Sequence, residues 1–140
     1  MSNNNSALAL ALFISWALAL LLLMEVLRSL LVLSGRVPSN GFTPDNANLS
    51  PFMQRLARAH ANCVESLPVF GGLLLLALAT GQTAVTDPLA LWFVLARVVQ
   101  SCIHLASLSV AAVNLRFAAF AVQTAIGVHW AAALTLRHLT

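Results

Sequence analysis

From Ala7 to Leu33 the chain carries no charged residue before Glu25 and Arg28. A helix rising 1.5 Å per residue needs about 20 residues to cross a hydrocarbon core of about 30 Å. This run is long enough to span and to tilt. A cleaved signal sequence is the competing reading, but such a segment opens on basic residues. Met1 to Ser6 has none, and the apolar run is too long, so a retained first transmembrane helix is expected. Of the 140 residues, 60% are hydrophobic and 8% charged, against roughly 25% charged in an average soluble domain. So few charges could not cover a water-soluble globule of this size.

Three further spans follow. Ser34 to Ser50, with Gly35, Pro38, Gly41 and Pro44, has loop composition. Ser50 and Pro51 then read as N-cap and first residue of a helix. That helix starts amphipathic and turns apolar as far as Ala79. Pro68 lies inside it, where it removes one backbone bond and crowds the carbonyl of Val64, so a kink is expected beside Glu65. Asp87 and Pro88 repeat the start signal for a third helix to about Ala112. Asn114 reads as the cap of a fourth, from Arg116 to about Leu136. The expected fold is all-α and integral to the membrane: one four-transmembrane-helix bundle over residues 1–140, with helices at 7–33, 51–79, 88–112 and 116–136.

The seven arginines, with no lysine, lie scattered among apolar runs rather than along a soluble basic face, which argues against a nucleic-acid partner. Arg28, Arg36, Arg55, Arg58 and Arg116 flank loops one and three, whereas loop two carries only Asp87 and the N-terminal tail is uncharged. The positive-inside tendency puts loops one and three in the cytoplasm and both termini outside, with Arg137 weakly opposed. Cys63 and Cys102 read as small buried residues, and the chain has no metal-ligand spacing and no tyrosine.

A charge at the bilayer centre costs about 2.5–3.5 kcal/mol on insertion scales, so intramembrane polar residues should turn from lipid and find partners. On the second helix Arg55, Arg58, Asn62 and Glu65 are spaced 3, 4 and 3 and share one face. On the third, Arg97, Gln100 or Ser101, His104 and Ser107 follow the same rule. Two such stripes are satisfied by facing each other or a common polar cavity. Arginine forks suit carboxylates and thiolates, and a glutamate suits an ammonium or amide, so the set fits a small zwitterion of net negative charge. Interhelical glue, including an Arg58–Glu65 pairing, explains the same residues equally well. Glu25 and Arg28 form an i, i+3 pair that can neutralise itself. Trp130 reads as an interface anchor.

The segment Arg55 to Phe70 contains Arg-Ala-His-x-Asn-x-x-Glu followed by Pro-x-Phe. It resembles the signature of the MAPEG superfamily, the membrane-associated proteins in eicosanoid and glutathione metabolism, which includes microsomal glutathione transferases and a prostaglandin E synthase. Ala96-Arg97 and Leu115-Arg116 are weaker matches; length, helix count and the long first loop agree. The resemblance implies a homotrimer in which glutathione, the co-substrate, lies between subunits near the cytoplasmic side. Its thiolate would attack a lipophilic electrophile or hydroperoxide arriving through the bilayer. Carried over by position, Arg116 is the catalytic candidate that stabilises the thiolate; Arg58, Asn62 and Glu65 contact glutathione; Arg97, Gln100 and His104 complete the binding set, and no metal is implied.

The chain departs from the pattern at Ala61, Phe117 and Phe120, where an arginine, a serine and a tyrosine are expected, and at Pro38 in the first loop. The leading expectation is a detoxifying glutathione transferase, with peroxidase activity as an option, in a bacterial inner membrane. The alternative is a non-catalytic lipid- or ligand-binding protein on the same scaffold. A small channel or proton-linked transporter using Glu65, Arg97 and His104 ranks last.

Overall fold

The computed structural model describes residues 4–140; the reading of Met1 to Asn3 as an uncharged outer tail lies outside them. Four long apolar helices are present: α1 (Asn5–Leu33), α2 (Pro51–Ala79), α3 (Thr83–Ala106) and α4 (Val110–Leu139). The all-α, four-span fold class expected from the sequence is what the chain adopts, with no strand among the described residues. On α1 the residues Ala9, Phe13, Ala17, Leu20 and Met24 are buried at helical spacing, while Leu8, Leu12, Leu18 and Leu22 point outward. A first helix that packs along its length on α3 is part of the bundle.

The core is organised by four aromatic rings, one from each helix. Phe93 of α3 lies 5.5 Å from Phe13, 4.8 Å from Phe70 and 5.6 Å from Trp130, centroid to centroid. Pairs at such distances contribute about 0.5–1.5 kcal/mol each beyond their buried area. Trp130 is fully buried here and is not the interface anchor expected of it; its position near the end of the sequence does not place it near the membrane surface, because α4 runs on to Leu139. Cys63 is buried as expected, but Cys102 is exposed on the outer side of α3.

Helix boundaries follow their caps. Ser50 accepts from the Met53 amide at 3.3 Å and Pro51 opens α2, as its sequence indicates. Within α2, Leu67–Gly71 forms a π-turn. A wider turn accommodates a proline ring that would crowd the Val64 carbonyl in a regular helix, so the distortion expected at Pro68 takes this form.

The boundary between α3 and α4 differs from expectation. The break is at Ser107–Ser109, not after Ala112, because Ser109 accepts from the Ala112 amide at 3.2 Å and nothing in Val110 to Val113 resists helix. Asn114 therefore caps nothing, and Arg116 sits in the second turn of α4 rather than opening it. Arg55 Nε supports the break by donating to the Leu105 carbonyl at 2.9 Å.

α3 likewise begins at Thr83, after Gly81 in the left-handed region at φ +67°, rather than at Pro88. Asp87 caps another helix instead. Its carboxylate accepts from the Ser6 amide at 2.8 Å and the Ser6 hydroxyl at 2.6 Å, and Thr86 completes the cluster against Ser6 at 2.6 Å. One orphan donor at the start of α1 is thereby satisfied by α3. Asp87→Ala should cost about 1 kcal/mol of stability, the usual value of a lost N-cap. A lower thermal midpoint in detergent at unchanged helical circular dichroism checks this.

Two more contacts fix which ends lie together. Arg28 bonds Asn46 Oδ1 through Nε at 3.0 Å and Nη2 at 2.6 Å, and the Thr43 carbonyl at 3.1 Å, besides pairing with Glu25 at 3.2 Å. So Arg28 is not spent on its own helix; it ties the first loop to α1. Asn46, buried and at φ 55°, passes the link to α2 by donating to the Met53 carbonyl at 2.8 Å. In the same loop, the Thr43 hydroxyl and Ala47 amide hold the Asp45 carboxyl below its usual range. At the opposite end, Gln82 Nε2 meets His138 Nδ1 at 3.0 Å. Loops one and three therefore share one end, and loop two shares the other with the described part of the N-terminus and with the C-terminus.

Candidate functional site

The seven residues singled out by spacing and resemblance line two clefts that share Asn62. The first, of about 560 Å³, is bounded by Asn62, Glu65 and Phe70 of α2, Arg97 and Gln100 of α3, and Phe120 of α4. The second, of about 400 Å³, is bounded by Arg55, Arg58 and Asn62 of α2, His104 of α3, and Arg116 of α4. The polar stripes of α2 and α3 thus turn toward common hollows, and α4 supplies the third wall. Phe70 belongs to the aromatic cluster as well, so the first cleft abuts the rigid core.

The charges in these clefts are not consumed by one another. Among the described residues the ion pair present is Glu25–Arg28, and Glu65 pairs with neither Arg58 nor Arg97. This removes the direct Arg58–Glu65 pairing from the structural explanation. Arg97 is 1% exposed, and its Nε and Nη2 have no hydrogen-bond partner. Its guanidinium stands 5.6 Å over the Phe13 ring, which offsets part of the cost of burying a cation. Arg116 Nε is also buried without a partner. Buried polar groups in native folds are nearly always bonded, so these free donors beside the clefts are groups that can serve an acceptor.

The hydroxyl protons of the first cleft are already used. Ser66 Oγ donates to the Asn62 carbonyl at 2.5 Å and Thr124 Oγ1 to that of Phe120 at 2.9 Å. N–H groups of Asn62, Arg97 and Gln100 are the remaining donors there, with Glu65 as the anion. The second cleft gathers three guanidinium groups and no carboxylate, a lining whose charge suits an anion.

The MAPEG family model matches residues 7–136, from the start of α1 nearly to the end of α4. The chain belongs to the MAPEG family. Comparison with curated proteins and with solved structures gives no match. Membership agrees with the four-helix membrane fold and with glutathione-related chemistry at the level of the family.

Of the stripe residues that helical spacing picked out in this MAPEG chain, Ser107 leaves the α3 stripe because the helix ends before it, and Ser101 is buried on α3 and lines neither cleft. Gln123 is the residue that sequence reasoning missed. It is fully buried on α4 and donates to Gln100 Oε1 at 2.9 Å. Its place seven residues after Arg116, hence on the same helical face, is the signal that would have found it.

Proposed function

We propose that this MAPEG protein is a glutathione-dependent transferase acting on lipophilic electrophiles that reach it through the bilayer. One observation carries the reading: guanidinium groups without an ion pair and one carboxylate without one line two clefts that share Asn62 on a membrane bundle. Glutathione presents a matching set of two carboxylates, an ammonium and a thiol. Glu65 would take the ammonium; Arg58, Arg97, Gln100 and Asn62 would take carboxylate and peptide oxygens; His104 would line the thiol end. Arg116 would stabilise the thiolate, whose proton leaves to water. The thiolate sulfur then forms a bond to the electrophilic carbon as the leaving group departs with its electron pair. Arg58 and Glu65 are exposed on a single chain, which fits a homotrimer whose neighbouring subunit closes the clefts. The arginine-rich end of the bundle would face the cytoplasm, both termini the outside, and the host membrane would be a bacterial inner membrane.

Binding is the first test. Glutathione at 100 times its Kd should stabilise the protein by about 2.7 kcal/mol, seen as a raised thermal midpoint. Glu65→Gln should lose most of that shift. A wild type that does not respond to millimolar glutathione would end the reading.

A second reading, a non-catalytic ligand-binding protein, is favoured by the tied hydroxyls of Ser66 and Thr124 and by Phe120 at the cleft wall. It predicts a thermal shift with glutathione but no thiolate ultraviolet absorbance.

A further inference from the structure

Gln123 is fully buried, and its amide has a defined orientation. The nitrogen faces the Ala119 carbonyl of its own helix at 3.0 Å and Gln100 Oε1 at 2.9 Å. A backbone carbonyl only accepts, so the atom against it must be the NH2 group. That group has two hydrogens, and both are engaged. The atom of Gln100 that meets it must then be the oxygen. Gln123 Oε1 is left buried and without a partner, so its arrangement is dictated by the two acceptors and not by the needs of its own oxygen. On Gln100 the oxygen is taken, while the amide nitrogen is neither bonded nor among the buried unpartnered atoms, and the residue lines the first cleft.

We propose that Gln123 is a positioning residue that locks Gln100 as an N–H donor toward the first cleft, so that the ligand group seated beside Arg97 is an acceptor, a carboxylate or carbonyl, and not an ammonium. A free glutamine is ambivalent, since its amide can turn either end to a ligand. The relay from the Ala119 carbonyl through Gln123 removes that choice. Arg97 is donor-only, so the two α3 side chains present N–H groups alone, and Glu65 of α2 is the one anion lining the cleft, hence the partner for an ammonium. An α-amino acid head, with carboxylate and ammonium on one carbon, matches that polarity; a diamine does not.

This inference rests on the glutathione reading for the identity of the ligand, and the experiment separates the two. Full-length protein in nanodiscs is titrated with glutathione by calorimetry, as wild type, Gln123→Glu, Gln123→Leu, Gln100→Leu and the Gln100→Leu/Gln123→Leu pair. Gln123→Glu keeps the shape but, kept neutral by burial, has one proton at most, so it cannot serve both the Ala119 carbonyl and Gln100 Oε1 and no longer fixes which way Gln100 turns. Both Gln123 variants should weaken binding about tenfold, the value of one hydrogen bond to a charged group. The loss should appear in KM and leave kcat within twofold. In the Gln100→Leu background the second substitution should add nothing. A Gln123 variant that binds as the wild type does, or a loss that persists in full without Gln100, overturns the proposal. If the wild type binds no glutathione, the ligand reading fails by itself. The positioning claim is then decided by the side-chain amide resonance of Gln100 in glutamine-labelled protein, which Gln123→Glu should shift and which would stay put if no relay exists.

Discussion

Replacing Arg116 by alanine should lower kcat/KM for conjugation of glutathione to a chlorinated nitroaromatic by about 100- to 1,000-fold, the usual loss when one donor is removed from an anion-stabilising site. The free thiol is only a few per cent ionised at neutral pH, so a guanidinium placed beside it acts mainly by raising that fraction. The acid limb of the pH–rate profile should therefore move upward by a unit or more, and the thiolate absorbance of the bound form should vanish. Binding should change less than rate, because Arg58, Glu65 and Arg97 remain. Arg116 lies on α4 with Nε buried against the second cleft, and its side chain bonds nothing in the fold, so the variant should stay folded. An active Arg116→Ala protein would take the residue out of the chemistry.

The second large effect is structural. A Cβ on Gly127 would stand 2.5 Å from Cε1 and 3.0 Å from Cδ1 of Phe70. Phe70 packs on Phe93 at 4.8 Å, so a ring that retreats, even into the first cleft, gives up that contact. Alanine gains about 1 kcal/mol over glycine in helix propensity, and an overpacked core loses about 1–3 kcal/mol, so the clash should prevail. Gly127→Ala should lower the unfolding midpoint, and Gly127→Val should lower it further. Phe70→Leu in the Gly127→Ala background should recover part of the loss, because the two sites are in contact and their effects are coupled. A Gly127→Ala protein as stable as the wild type would mean that α4 does not approach Phe70 this closely.

The spans themselves were legible because a membrane helix needs a long apolar run and little else. The start of α2 was legible because its cap and its proline are adjacent in the chain. The α2 stripe was legible because Arg55, Arg58, Asn62 and Glu65 repeat at helical spacing, and they do share the clefts with α3. Other features depend on partners far away in sequence. Asp87 reads as the cap of its own helix until Ser6, 81 residues earlier, is seen to need it. Gln123 is a lone polar residue in an apolar helix until Gln100 is placed opposite. The short break at Ser107–Ser109 was hidden because the residues on either side are equally apolar, and Asn114 offered a stronger-looking cap than Ser109. Trp130 was misplaced because burial of a tryptophan is decided by which helix faces it, not by its distance from the chain end.

The widened turn at Leu67–Gly71 carries a consequence for how this chain tolerates changes of length. Each residue turns a helix by about 100°, so one additional residue per turn re-phases everything that follows. The half of α2 bearing Asn62 and Glu65 and the half bearing Leu74 and Ala77 are thus aimed separately, one at the hollows and one at the scaffold. Deleting a single residue between Glu65 and Leu74 should restore regular winding with both halves keeping their faces, whereas inserting one, with no second wide turn to absorb it, would swing one of those halves toward lipid.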